Sequence, residues 1–143
     1  MILIDANLLL YAYNPESEYY KPAKDWFEKT LSSPEPVKLF WQTILAFLRI
    51  TTNIHVFRKP FTPAEAVTIV TDWLSQPAVG IVEPGERHWE ILASLIKQAQ
   101  IQGPLMMDAH LAALALENGL TLCTHDSDFR RFANLRVNDP LNE

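Results

Sequence analysis

Five short apolar runs, "ILI", "VKLF", "VGIV", "LTLC" and "LRV", recur along this chain with longer helical stretches between most of them. Three or four apolar residues without alternation suit a strand covered on both faces, and strands separated by helices build a parallel sheet. The expected fold is therefore α/β: a three-layer sandwich with a central, mainly parallel sheet flanked by helices.

The intervening segments carry helical signals. "YKPAKDWFEKTL" places Ala23, Trp26, Phe27 and Leu31 on one side, and "WQTILAFLRITTN" has a mostly helical apolar spacing. "TPAEAVTIVTDWLSQ" begins with Thr62 as N-cap, Pro63 in the first helical position and Glu65 at the third, a capping box. "PGERHWEILASLIKQAQIQG" is expected to close at Gly103, and "MDAHLAALALENG" at Gly119. A helical turn or two should follow the first strand through "ANLLLYAY".

A length of 143 residues is near the commonest size for one domain, and one domain over residues 1–143 is expected. The N-terminal "MILIDANLLLYAY" has neither a basic leader nor a small-residue cleavage site, and Asp5 interrupts it, so it reads as a strand rather than a signal. Nothing approaches the roughly 18 to 20 apolar residues of a membrane span. A lone cysteine, Cys123, excludes an intrachain disulfide and fits a cytoplasmic setting. Net charge of −5 argues against a dedicated nucleic-acid coat. That average hides a segment from Pro36 to Ala64 with no acid at all, carrying Lys38, Arg49, Arg58 and Lys59.

In a parallel α/β sheet, ligands bind outside the carboxyl ends of the strands. Asp5 ends the first strand, Asp126 and Asp128 follow "LTLC", and Asp108 opens the helix leading into it. Each acid alone could simply cap a helix. Four acids converging on one edge repel one another unless a cation neutralises them, and hard oxygen ligands favour Mg²⁺ or Mn²⁺. Such a site can bind a phosphodiester, polarise it and activate water, which is hydrolytic nuclease chemistry. The histidines are poorer ligands: His125 should point opposite to Asp126, His110 lies about 200° around the helix from Asp108, and His55 and His88 lack partners at metal-ligand spacing. Zinc is not expected.

"ILIDANLLLYA", "MDAHLAALALENG" and "LCTHDSDFRRF", in that order, resemble the motifs of PIN domains, and the chain is most similar to the VapC ribonuclease toxins among them. The resemblance spans nearly the whole chain. It implies a metal-dependent endoribonuclease that leaves a 5′-phosphate, usually a homodimer, inhibited by a small antitoxin. It assigns Asp5, Asp108 and Asp126 as metal-binding aspartates, Asp128 as the additional acid, and Asn7 and Thr124 as supporting polar residues.

One position departs from that pattern. Where many PIN domains carry a glutamate in the helix "ILAFLRI", this chain has Phe47, which leaves open a weakened or inactive RNA- or protein-binding module. Trp41, Phe47 and Leu48 with "HVFRKPF" are expected to supply apolar surface for a dimer and an antitoxin groove. Because carboxylates repel RNA, its backbone must be held by cations outside the acidic pocket. The candidates are Arg49, Arg58, Lys59, Arg130 and Arg131, with solvent exposure or pairing to helix acids as the alternative for the last two.

Overall fold

The computed structural model describes residues 1–142. Its strands are β1 (Ile2–Ile4), β2 (Val37–Leu39), β3 (Val79–Ile81), β4 (Thr121–Cys123) and β5 (Val137–Asn138). All pair in parallel, in the order β3-β2-β1-β4-β5. Six α-helices connect or flank them: α1 (Ala6–Ala12), α2 (Tyr20–Leu31), α3 (Trp41–Thr51), α4 (Pro63–Ser75), α5 (His88–Ala99) and α6 (Leu105–Asn118). A 3-10 turn, Ser127–Arg131, follows β4.

Strands this short still divide two cores because successive side chains leave a strand on opposite faces. Leu3 and Leu122 enter a layer with Leu95 of α5, Ala109 and Leu111 to Ala115 of α6, and Phe129 and Phe132. Their neighbours Ile4 and Cys123 enter the other, with Leu8, Phe27, Phe47 and Trp73 from α1 to α4. This is the expected three-layer α/β sandwich with its sheet in the middle.

The local signals act largely as anticipated. Thr62 Oγ1 accepts the Glu65 N–H at 3.1 Å while Glu65 accepts the Thr62 N–H at 3.0 Å. Gly119 closes α6 at φ 65°. The end of α5 differs: the helix stops at Ala99, and Gln100, not Gly103, takes the left-handed position at φ 53°. Ile101 explains the early stop, since its N–H returns to the Ile96 carbonyl at 3.0 Å and its side chain is buried in the core. Gly103 serves the turn before α6, where its carbonyl accepts the Met106 N–H.

The apolar surface also differs from expectation. Phe47 is fully buried against Trp73 and Tyr13, with ring centroids 4.6 and 5.4 Å away, and Phe57 is buried too. Trp41, Leu45, Ile54 and Val56 are what this region exposes, with Leu48 partly buried. Among the described residues no helix is long and apolar enough to cross a membrane.

Candidate metal centre

The sheet runs outward in both directions from the β1–β4 pair: β2 and β3 lie beyond β1, and β5 lies beyond β4. Such a switch point opens a crevice at the carboxyl edge. Asp5 follows the last residue of β1, Asp126 stands three residues after β4, and α6 returns its first turn, with Asp108, to the same edge.

Capping and clustering turn out to be compatible. Asp5 caps α1, its Oδ1 accepting the Ala6 N–H at 2.7 Å, and Asp126 caps the 3-10 turn by accepting the Asp128 N–H at 2.8 Å. Asp108 and Asp128 have no capping role; Asp108 lies inside the first turn of α6, after Pro104, and Asp128 inside the 3-10 turn that Asp126 caps. Oxygens of Asp108, Asp126 and Asp128 can all lie within 4.8 Å of one another. Asp128 thus joins this tight group. Asp5 stands behind it, with both carboxylate oxygens already accepting hydrogen bonds.

Thr124 joins the two parts. Its hydroxyl donates to Asp5 Oδ2 at 2.7 Å and accepts the backbone N–H of Asp126 at 3.0 Å and the Asn7 amide at 3.3 Å. Asn7 Oδ1 is buried without a partner. An orphaned oxygen beside an all-oxygen donor set suits a hydrated hard cation. Electrostatics agree: burial, then repulsion from Asp126, Asp5 and Asp128, pushes the Asp108 carboxyl up to about 6. Burial likewise raises Asp5, against the hydrogen bonds from Thr124 and Ala6. A divalent cation would relieve this repulsion, so Asp108, Asp126 and Asp128 fit a Mg²⁺ or Mn²⁺ site with Asp5 in support.

The expected RNA-contacting cations separate into groups. Arg49 lines a cavity of about 540 Å³ between α3 and α6 that also includes Asp5 and Asp108. Arg130 and Asp126 line a cavity of about 320 Å³ on the β4–β5 side. Arg58 and Lys59 line a third, of about 490 Å³, at the far end of α1, where Arg58 lies 3.8 Å from Glu16. Arg131 is engaged by Asp128, its Nε donating to the backbone carbonyl at 2.9 Å and its Nη2 to the carboxylate at 3.3 Å. Phe47 lines none of these, being sealed in the core.

Pattern and spacing left several neighbours undetected. His88 Nε2 and His110 Nδ1 share a hydrogen bond at 2.7 Å, and Glu117 braces the preceding loop by accepting the N–H groups of Gly85 and Arg87 at 2.8 and 3.0 Å. His110 also borders the cavity at Asp108 without joining the acidic group. His125 bonds Asp139 at 2.8 Å and lies against Tyr19. No local spacing announces these pairs, because each joins residues far apart in the chain.

The PIN domain family model matches residues 2–135. Ribonuclease VapC37 of Mycobacterium tuberculosis strain H37Rv is 41% identical over 140 residues, covering 98% of this chain and 97% of that protein. Ribonuclease VapC33 of the same strain is 36% identical over the full length of both. The crystal structure of VapBC2 from Rickettsia felis bound to a DNA fragment from its promoter superposes with a TM-score of 0.68 at 17% identity, covering 96% of this chain and 98% of that one. With a shared fold, full-length similarity and the acidic motifs in their expected order, this chain belongs to the PIN-domain family, among its VapC ribonucleases.

Proposed function

We propose that this chain is a Mg²⁺- or Mn²⁺-dependent endoribonuclease, the toxin component of a toxin–antitoxin pair. The observation that carries the proposal is the convergence of Asp108, Asp126 and Asp128 within 4.8 Å, with Asp108 raised to about 6 by burial and then by repulsion from the neighbouring acids. When bound, the cation would supply charge neutralisation and Lewis-acid polarisation of the phosphodiester.

The chain's own residues supply the arrangement. Asp108, Asp126 and Asp128 would hold the cation, whose charge would let an anionic substrate enter an acidic crevice. Thr124 fixes the backbone of Asp126 relative to Asp5, which keeps the site assembled before RNA arrives. Arg49 and Arg130, at opposite mouths, hold flanking phosphates. Hydrolysis adds a water oxygen to phosphorus and breaks the P–O3′ bond; the proton given up by water is balanced by the one gained at O3′, leaving a 5′-phosphate.

Phe47 does not favour the inactive alternative, since the acidic group assembles while that side chain fills the core. The cavity beside Asp5 and Asp108, bordered by Leu45, Ala46 and Met107, is suited to an antitoxin segment that brings an arginine to the carboxylates. Exposed Trp41 and Leu45 are the candidate surface for a homodimer. The proposed setting is the cytoplasm.

Incubation of the purified chain with structured cellular RNA should yield discrete 5′-phosphorylated fragments with Mg²⁺ or Mn²⁺ and none with EDTA. Asp108→Asn should abolish them. Fragments that persist with EDTA or in Asp108→Asn would sink the proposal.

A further inference from the structure

His125 stands in the chain between the Thr124 hub and Asp126 and is held from two sides. Its Nδ1 lies 2.8 Å from Asp139 Oδ2. Asp139 is itself fixed, accepting the Leu141 N–H at 3.0 Å and the Asn142 amide at 2.9 Å. The imidazole packs against Tyr19, with centroids 4.5 Å apart, and meets Tyr11 edge-on at 6.0 Å, while the two tyrosines lie 5.0 Å from each other. Tyr19 belongs to neither hydrophobic core.

This supported ring forms part of the wall of the 320 Å³ cavity that Asp126 also lines, with Arg130 at its edge. Among the described residues Arg130 has no ion-pair partner, unlike Arg131. An aromatic ring, a cation and a polar amide, Asn142, are the fittings of a nucleotide site, with the carboxylates of Asp126 and Asp139, the latter engaged by His125, in the same wall. An amphipathic protein helix would instead need a continuous apolar strip.

We infer that His125 is a positioning residue for RNA, its ring stacking the unpaired base next to the scissile phosphate while Arg130 holds that nucleotide's own phosphate. The inference rests on the ribonuclease proposal for the identity of the ligand. Stacking on this ring requires a base that is not already stacked inside a duplex.

Binding is measured by fluorescence anisotropy on the full chain carrying Asp108→Asn, with short mixed-sequence RNA as a single strand and as a duplex. The single strand should bind about tenfold more tightly. His125→Ala should lose about tenfold of that affinity and His125→Phe should retain most of it. In a series of strands with one abasic ribose at each position in turn, one position should weaken parent binding about tenfold and leave His125→Ala binding unchanged. If His125→Ala melts early by circular dichroism, Tyr19→Ala, outside both cores, takes its place.

Equal affinity for single strand and duplex, or a His125→Ala variant that binds like the parent, would overturn the inference. Unchanged RNA affinity together with weakened binding of a synthetic amphipathic helical peptide would also overturn it and make this a protein-docking surface. Histidine-dependent RNA binding in a wild-type chain that never cleaves would remove the nuclease proposal and support this inference. Metal-dependent cleavage indifferent to His125 would do the reverse.

Discussion

The hydroxyl of Thr124 reaches Asp5 Oδ2 at 2.7 Å across 119 residues of sequence. Through that one contact the end of β4 is locked to the end of β1, and Asp126 is placed by the same oxygen. Replacing Thr124 by valine keeps the shape and leaves an acceptor on partly buried Asp5 unsatisfied, at a cost of roughly 1–3 kcal/mol. Urea unfolding should register that loss for Thr124→Val and little of it for Thr124→Ser, with metal affinity falling in parallel. Equal stability of all three proteins would show that the bond does not hold the site together.

Asp108 sets a pH dependence. Its carboxyl sits at about 6 in the metal-free fold against an ordinary 3.8, so between these values the folded chain binds more proton than the unfolded one. The metal-free protein should therefore lose stability as pH rises through that window, and Asp108→Asn should flatten the profile and melt higher at neutral pH. Metal affinity should run the other way, rising up to about tenfold per pH unit below about 6 and levelling above it. Metal-free thermal melts from about pH 4 to 7 check the first direction, and calorimetric Mg²⁺ titrations from about pH 5 to 8 the second. A flat affinity profile would remove Asp108 from the ligand set.

Arg131 would compete with the proposed metal for Asp128, since its guanidinium lies 3.3 Å from that carboxylate. Exposed pairs of this kind are worth about 0–1 kcal/mol, so Arg131→Ala should raise Mg²⁺ affinity by up to about fivefold at low salt, and the gain should fade as salt increases. Asp126→Asn should weaken binding more than Asp128→Asn, because Asp126 also caps the turn that carries Asp128. The opposite order would transfer the central role to Asp128.

Phe47→Glu, which would restore the family's usual acid by sequence position, should destabilise the fold by several kcal/mol without adding a ligand, because it buries a charge among Trp73 and Tyr13. Ala46 is the adjacent helical residue that borders the cavity at Asp5 and Asp108. Ala46→Glu should keep the fold and strengthen metal binding. Thermal melts with and without Mn²⁺ distinguish the two, and a stable, metal-responsive Phe47→Glu would place that side chain at the site after all.

Much of this is legible in the sequence because short buried strands and capped helices write local patterns. The capping box at Thr62 and the Gly119 stop need only neighbouring residues, and Asp5, Asp108 and Asp126 mark element ends that a parallel sheet must bring to one edge. What could not be read depends on distant partners. The burial of Phe47 requires α4 to deliver Trp73, the Arg131–Asp128 pair depends on the shape of a 3-10 turn, and the early stop of α5 is decided by a core that wants Ile101. Helical periodicity gives Phe47 an apolar face but does not say which neighbour covers it.

Consider β1, central in the sheet although it is the first strand to be synthesised. One of its edges is satisfied by β2 once residue 39 is made, but the other must wait for Thr121–Cys123. A chain emerging amino end first thus carries Asp5 through most of its synthesis with nothing opposite it. Asp108, Asp126 and Asp128 are all supplied by the last third of the sequence, and loop closure over that separation comes late in folding. On the proposed reading, the nascent chain has no assembled centre while its own ribosome, built largely of RNA, is still translating it.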